Sequence, residues 1–159
     1  MNPPSLSTLS LSLEQGIAEI RLNRPDKSNA MNDAMWQEIR QAFDWVDATP
    51  EARVAILSGA GRNFCAGIDL TLLAGIQQRI AHPDAARSRE ALRRLILDLQ
   101  DCLSSVERCR KPVLAAIQGA CIGGALDLVT CCDMRYAAAD TVFSVREIEL
   151  GMVADVGTL

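Results

Sequence analysis

The sequence predicts an α/β fold with a largely parallel sheet. Three observations carry that expectation. Alternating Leu9, Leu11 and Leu13 lead through Gln15-Gly16 into Ile17–Leu22, a β-hairpin signature. Two short apolar runs, Val54–Leu57 and Pro112–Ile117, each end near a glycine and read as strands buried on both faces. Helical periodicity separates these runs.

Taken in order, residues 23–29 form a polar loop before a helix from about Asn32 to Asp47. Met35, Ile39, Ala42, Phe43 and Val46 share one face of it, and Thr49-Pro50 stops it. After the strand at 54–57 comes the turn Gly59–Asn63, then Phe64–Asp69, then a short helix through Leu73. Residues 83–110 read as a long helix with Leu92, Leu95, Ile96, Leu99, Leu103 and Val106 on one side. A helix from Gly123 to about Cys132 follows the second buried strand. Met134–Ala138 and Thr141–Ser144 are short extended pieces. The 159 residues suffice for one domain with a core, so 1–159 is read as a single unit.

Half of the residues are hydrophobic and 23% are charged, which is globular rather than disordered composition. A net charge of −4 without a basic face argues against nucleic acid as a partner. No stretch is apolar and long enough for a membrane span. The opening residues carry neither signal-peptide nor transit-peptide character, so a cytoplasmic location of bacterial type is expected. Six cysteines without a CxxC pair read as small buried hydrophobes. A single histidine, His82, gives no basis for a zinc site, and no metal is expected.

Chemistry concentrates between Cys121 and Asp155. A strand runs through Gly119 into Gly123-Gly124, where a helix starts. The first turn of a helix has backbone N–H groups without intrahelical partners, and glycine admits a ligand oxygen close to them. Gly124 N–H is therefore a candidate oxyanion donor, although a simple tight turn would read the same way. The Cys65–Asp69 turn repeats the device, with Ala66 N–H as a second donor. Two donors converging on one oxygen suit an enolate formed from a thioester. Asp127 fits either local stabilisation of the helix start or a site acid. Glu147 shares an extended face with Phe143 and Val145 and stands where the apolar pattern breaks register, pointing inward. Asp155 fits a turn or cap equally well.

Four stretches in order resemble the enoyl-CoA hydratase/isomerase (crotonase) family. They are Arg24-Pro25-Asp26-Lys27-Ser28-Asn29-Ala30-Met31, Phe64-Cys65-Ala66-Gly67-Ile68-Asp69-Leu70, Gly119-Ala120-Cys121-Ile122-Gly123-Gly124 and Cys132-Asp133-Met134-Arg135-Tyr136. Gly-Ile-Asp-Leu, Cys-Ile-Gly-Gly-Ala-Leu-Asp-Leu and Ala-Asp-Val-Gly-Thr-Leu are similar to its dienoyl-CoA isomerase branch. The resemblance implies a crotonase-like spiral of ββα units whose C-terminal helical part is missing here, so the domain reads as truncated. It implies an acyl-CoA thioester as substrate, no cofactor beyond it, and a homotrimer or homohexamer. It implies Asp127, Glu147 and Asp155 as catalytic acids and Ala66 and Gly124 as the oxyanion hole. Lys27, Ala30, Cys65, Gly67, Ile68, Asp69 and Gly123 are implied around the substrate and its CoA. The activity implied is isomerisation of a 3,5-dienoyl-CoA to a 2,4-dienoyl-CoA. Hydration of a 2-enoyl-CoA and silent acyl-CoA binding are the competing expectations.

Overall fold

The computed structural model describes residues 2–157. It begins with strand β1 (Leu9–Glu14) turning into β2 (Ile17–Leu22). Gln15 and Gly16 both take positive φ, 51° and 86°, the twist that a two-residue hairpin needs. Helix α1 (Asp33–Ala48) starts where the Asn32 side chain accepts the Met35 N–H at 3.0 Å. Strand β3 (Val54–Gly59) follows, then helix α2 (Leu70–Arg79) and helix α3 (Ala85–Arg108). Strands β4 (Val113–Ile117) and β5 (Ala120–Ile122) lead into helix α4 (Gly124–Thr130). Strands β6 (Met134–Ala137) and β7 (Val142–Ser144) precede a 3-10 turn at Glu147–Leu150.

The main sheet runs β1-β2-β3-β4-β6, with β1/β2 antiparallel and each later pair parallel. β5 and β7 form a separate parallel pair. Met35, Trp36, Ile39, Ala42, Phe43 and Val46 of α1 are all buried, and so are Leu99, Cys102, Leu103 and Val106 of α3. The two helices are tied at their edge by Arg40 and Asp98, 2.7 Å apart. This arrangement corrects the expectation of strands buried on both faces. Ala55 and Leu57 of β3 are fully buried, whereas Val54, Ile56 and Ser58 keep partial exposure. In β4, Ala116 is exposed.

Three element boundaries also differ from the sequence reading. Helix α2 continues past Leu73 to Arg79, through Gly75, a residue with open space around it. Strand β5 is only three residues long, too short for a periodic signal. Glu147 opens a 3-10 turn instead of continuing an extended strand, and Arg146 pairs with Glu149 across it.

All six cysteines are free thiols, and five are buried. Beyond β4 the chain is more open. Met134, Tyr136, Val142, Phe143, Ile148 and Val153 are large apolar side chains with substantial exposure.

Candidate active site

Phe64 to Asp69 threads between two other segments. On one side Cys65 N–H donates to Ala120 C=O at 3.0 Å, and Ile122 N–H donates to Cys65 C=O at 3.1 Å. On the other, Met31 N–H donates to Gly67 C=O at 2.8 Å, and Asp69 N–H donates to Met31 C=O at 3.0 Å. Those two bonds bracket Ile68, so its own N–H and C=O face away from Met31. Gly67 sits at φ +89°, which turns the chain at this point. Among the described residues, Ile68 N–H has no hydrogen-bond partner.

The same holds for Gly124 N–H, at the first position of α4. A β-carbon placed on Gly67 would stand 3.6 Å from Gly124 N, so the two loops meet at these residues. Ile68 and Gly124 both line an apolar cavity of about 390 Å³. Ile68 and Gly124 thus each bring a free amide to the cavity. The expected donor Ala66 is corrected here: its N–H is donated to Ser28 C=O at 2.9 Å and is not available.

Trp36, Leu73, Ile76, Leu95 and Leu99 form the apolar wall, from α1, α2 and α3. Glu147 and Asp155 are the two carboxylates of the lining. Glu147 Oε1 lies 2.8 Å from the position of a β-carbon on Gly123, and its Oε2 is buried without a partner. Asp155 is exposed, and Gln100 Nε2 holds its backbone carbonyl at 2.5 Å.

Asp127 lies on α4, fully buried, and among the described residues neither of its carboxylate oxygens has a hydrogen-bond partner. A capping carboxylate would hold a backbone N–H, and this one holds none, so it does not cap α4 through its side chain. Burial pushes its pKa up to about 7, and the nearby Glu147 and Asp155 charges add to the rise. An unpaired acid whose ionisation is opposed by burial costs stability at neutral pH, which points towards use. Two of the three acids picked from sequence, Glu147 and Asp155, therefore line one cavity, and Asp127 lies near enough for both charges to act on it.

The remaining residues divide. Lys27, Ala30, Gly67, Ile68 and Gly123 line a second cavity of about 430 Å³ that shares Ile68, Glu147 and Met152 with the first. Cys65 lines neither cavity. It is fully buried behind the loop, its Sγ set against the Asn29 carbonyl at 3.0 Å, and burial pushes its thiol up to about 12. Asp69 also lines neither; its carboxylate accepts the Thr71 N–H at 2.9 Å and caps α2. Asp69 borders a polar groove that it shares with Lys27. Sequence reasoning missed Ile68 as a donor, because its free N–H depends on pairing with distant Met31.

Among the described residues no helix is long and apolar enough to cross a membrane.

A family model described as enoyl-CoA hydratase/isomerase matches residues 12–159. The chain is 44% identical over 156 residues to the peroxisomal Δ(3,5)-Δ(2,4)-dienoyl-CoA isomerase of Arabidopsis thaliana, covering 98% of this chain and 56% of that protein. It is 44% identical over 148 residues to the mitochondrial Δ(3,5)-Δ(2,4)-dienoyl-CoA isomerase of Homo sapiens, covering 93% of this chain and 45% of that protein. In structure it is similar to an enoyl-CoA hydratase from Shewanella pealeana, with a TM-score of 0.83 and 29% identity over 95% of this chain and 54% of that one. The chain spans about half the length of the curated relatives it matches. The names of these relatives place those proteins in peroxisome and mitochondrion, which lends no support to a cytoplasmic location.

Proposed function

Because the chain belongs to the enoyl-CoA hydratase/isomerase family, we propose that it serves the isomerisation of a 3,5-dienoyl-CoA to a 2,4-dienoyl-CoA. The observation that carries this reading is the grouping of three acids: Glu147 and Asp155 on the lining of one cavity, Asp127 buried and near enough for both charges to act on it. Two free amides on the same cavity, Ile68 and Gly124, complete it. The names of the two curated relatives agree with the reading.

In the proposed reaction the thioester oxygen sits between Ile68 N–H and Gly124 N–H. Negative charge develops on that oxygen when a proton leaves C2, and the two amides stabilise it. The Glu147 carboxylate takes the C2 proton. The C3=C4–C5=C6 system carries the charge along the chain, so that protonation at C6 by the Asp155 carboxyl yields the 2,4-diene. The atoms balance: one proton leaves C2, one arrives at C6, and nothing is oxidised. Asp127, held largely neutral below pH 7, keeps a third full charge out of the mouth while Glu147 and Asp155 exchange roles. No metal or redox cofactor enters this chemistry. Lys27, exposed and lining the second cavity, would take the nucleotide end of CoA.

For the full protein the same reading carries a homotrimer or a dimer of trimers. The exposed apolar side chains of β6 and β7 support association of that kind.

The test is direct. A 3,5-dienoyl-CoA is supplied, and the near-ultraviolet absorbance of the conjugated 2,4-dienoyl product is followed. A 2-enoyl-CoA is supplied in parallel and loss of its double bond recorded. Isomerisation without appreciable hydration supports the proposal. Efficient hydration with no isomerisation replaces it with the hydratase reading.

A further inference from the structure

We propose that the Arg24–Asp69 ion pair is a positioning couple that sets the Ile68 amide as an oxyanion donor, an inference that rests on the oxyanion-hole reading above. Asp69 follows Ile68 directly and is held three ways. Its N–H donates to Met31 C=O at 3.0 Å, its Oδ1 accepts the Thr71 N–H at 2.9 Å, and its Oδ2 accepts from Arg24 Nη1 at 3.0 Å. The Thr71 amide and the Arg24 guanidinium hold the Asp69 carboxyl below its ordinary range.

Arg24 carries the restraint into a second loop. The same Nη1 also donates to Ala30 C=O, and Arg24 N–H donates to Asn29 Oδ1 at 2.9 Å. Asn29 is fully buried, and its Nδ2 donates to the carbonyls of Ala60, Asn63 and Phe64 at 2.8, 3.0 and 3.0 Å. One network thus runs from the start of the Phe64–Asp69 segment, through Asn29 and Arg24, back to its end. Ile68 lies inside the closed ring, with an N–H that nothing else fixes.

Neither partner of the pair lines the apolar cavity. Both border a polar groove together with Lys27, Asn32, Thr71 and Arg79. Their side chains are mostly buried there, at 19% and 15% exposure, so solvent does not screen the pair as it would a surface bridge. A pair that holds the residue next to Ile68 and lines no part of the apolar cavity acts through Ile68. Asp69 also fixes the first turn of α2, which brings Leu73 and Ile76 to the acyl wall. The donor and the wall therefore share one anchor.

The experiment uses the full chain and three variants, Asp69→Asn, Arg24→Ala and the double substitution. Asp69→Asn keeps an oxygen for the Thr71 N–H, so α2 stays capped and the thermal midpoint should stay near that of the unaltered protein. The probe is a 3-oxoacyl-CoA, whose bound enolate absorbs in the near ultraviolet and reads the donors without turnover. Expected are a weakened enolate band and a fall in kcat of about 10–100-fold, as for misplacement of a site group by a remote change. KM should stay within about twofold, and the double variant should be no worse than Arg24→Ala alone. Arg24→Lys should recover part of the loss. A raised KM with kcat intact would show Asp69 holding substrate and overturn the proposal, as would losses that multiply in the double variant. An unaltered protein that forms the enolate but isomerises no dienoyl-CoA loses only the isomerase assignment. One that forms no enolate removes the donor pair and this proposal with it.

Discussion

The Glu147 carboxylate occupies the space that a side chain at Gly123 would need, with Oε1 2.8 Å from the β-carbon position there. Gly123 also sits at φ +54°, ψ −128°, a conformation that side-chain-bearing residues avoid. The N-cap residue of α4 therefore shapes the seat of the proposed base.

Gly123→Ala should act on both counts. Backbone strain of this kind costs about 1–3 kcal/mol, which a thermal or urea unfolding curve reads. The new methyl must also push the carboxylate from its place. Exchange of the C2 proton of a bound acyl-CoA with deuterium oxide should fall about as far as in Glu147→Gln. Near-normal exchange in a destabilised Gly123→Ala protein would place the base elsewhere.

Asp127 gives a prediction in pH. Its folded value is about 7 against an ordinary 3.8, so its charged form is the one that folding disfavours. The stability it permits is complete below the unfolded value and is lost as pH rises through about 7. Each pH unit between the two values is worth about 1.4 kcal/mol, on the order of 4 kcal/mol in all. Asp127→Asn should remove that loss. The variant should match the unaltered protein near pH 4 and exceed it above pH 7 in urea unfolding. Parallel stability curves for the two proteins across pH 4–8 would contradict the burial argument.

Much of this site is legible in the sequence, for identifiable reasons. Gly123-Gly124 after an apolar strand signals a helix start with a close backbone approach, and Asp127 stands out as an acid in an apolar helix. Ile68 is different. Whether Ala66 or Ile68 has the free N–H depends on Ser28 and Met31 pairing with the loop, and no local pattern records such a pairing. Asp69 looks like a site acid by its place in the motif, yet it is consumed by Thr71 and Arg24. Glu147 was legible as an inward acid, but from an extended register that the 3-10 turn replaces.

Glu38 lines neither cavity and holds Ser7–Leu9 to α1. Its carboxylate accepts from Ser7 N–H and Oγ–H, Thr8 N–H and Oγ1–H, and Leu9 N–H, at 2.6 to 3.2 Å. Burial opposes its ionisation, and the bonds from Ser7 and Thr8 more than offset that, leaving its pKa below the ordinary value. Its contribution is present above the unfolded value and is lost as pH falls through the folded one. Glu38→Gln should cost about 2–3 kcal/mol, since an amide presents N–H groups to donors. Hydrogen exchange at Ser7, Thr8 and Leu9 should accelerate most. Unchanged protection there would mean that β1 holds without the clasp.

The last prediction separates isomerisation from hydration and rests on Asp155. A shift of the proton from C2 to C6 needs one group at each end of the diene. Glu147 and Asp155 border the same cavity but come from different places: the 3-10 turn, and the segment after Gly151, which is left-handed at φ +67°. Gln100 fixes the second through the Asp155 carbonyl, and among the described residues the Asp155 carboxylate has no hydrogen-bond partner. Asp155→Asn should therefore keep the backbone and the acyl-CoA affinity. It should remove the donor at C6 and lower dienoyl isomerisation by about 10²–10⁴-fold. Deuterium uptake at C2 should survive, because Glu147, Ile68 N–H and Gly124 N–H remain. Glu147→Gln should abolish both. The two readouts are the absorbance of the 2,4-dienoyl product and mass-resolved deuterium at C2. An Asp155→Asn protein that isomerises at the unaltered rate would remove Asp155 from the reaction, and with it the feature that distinguishes this site from one built to add water.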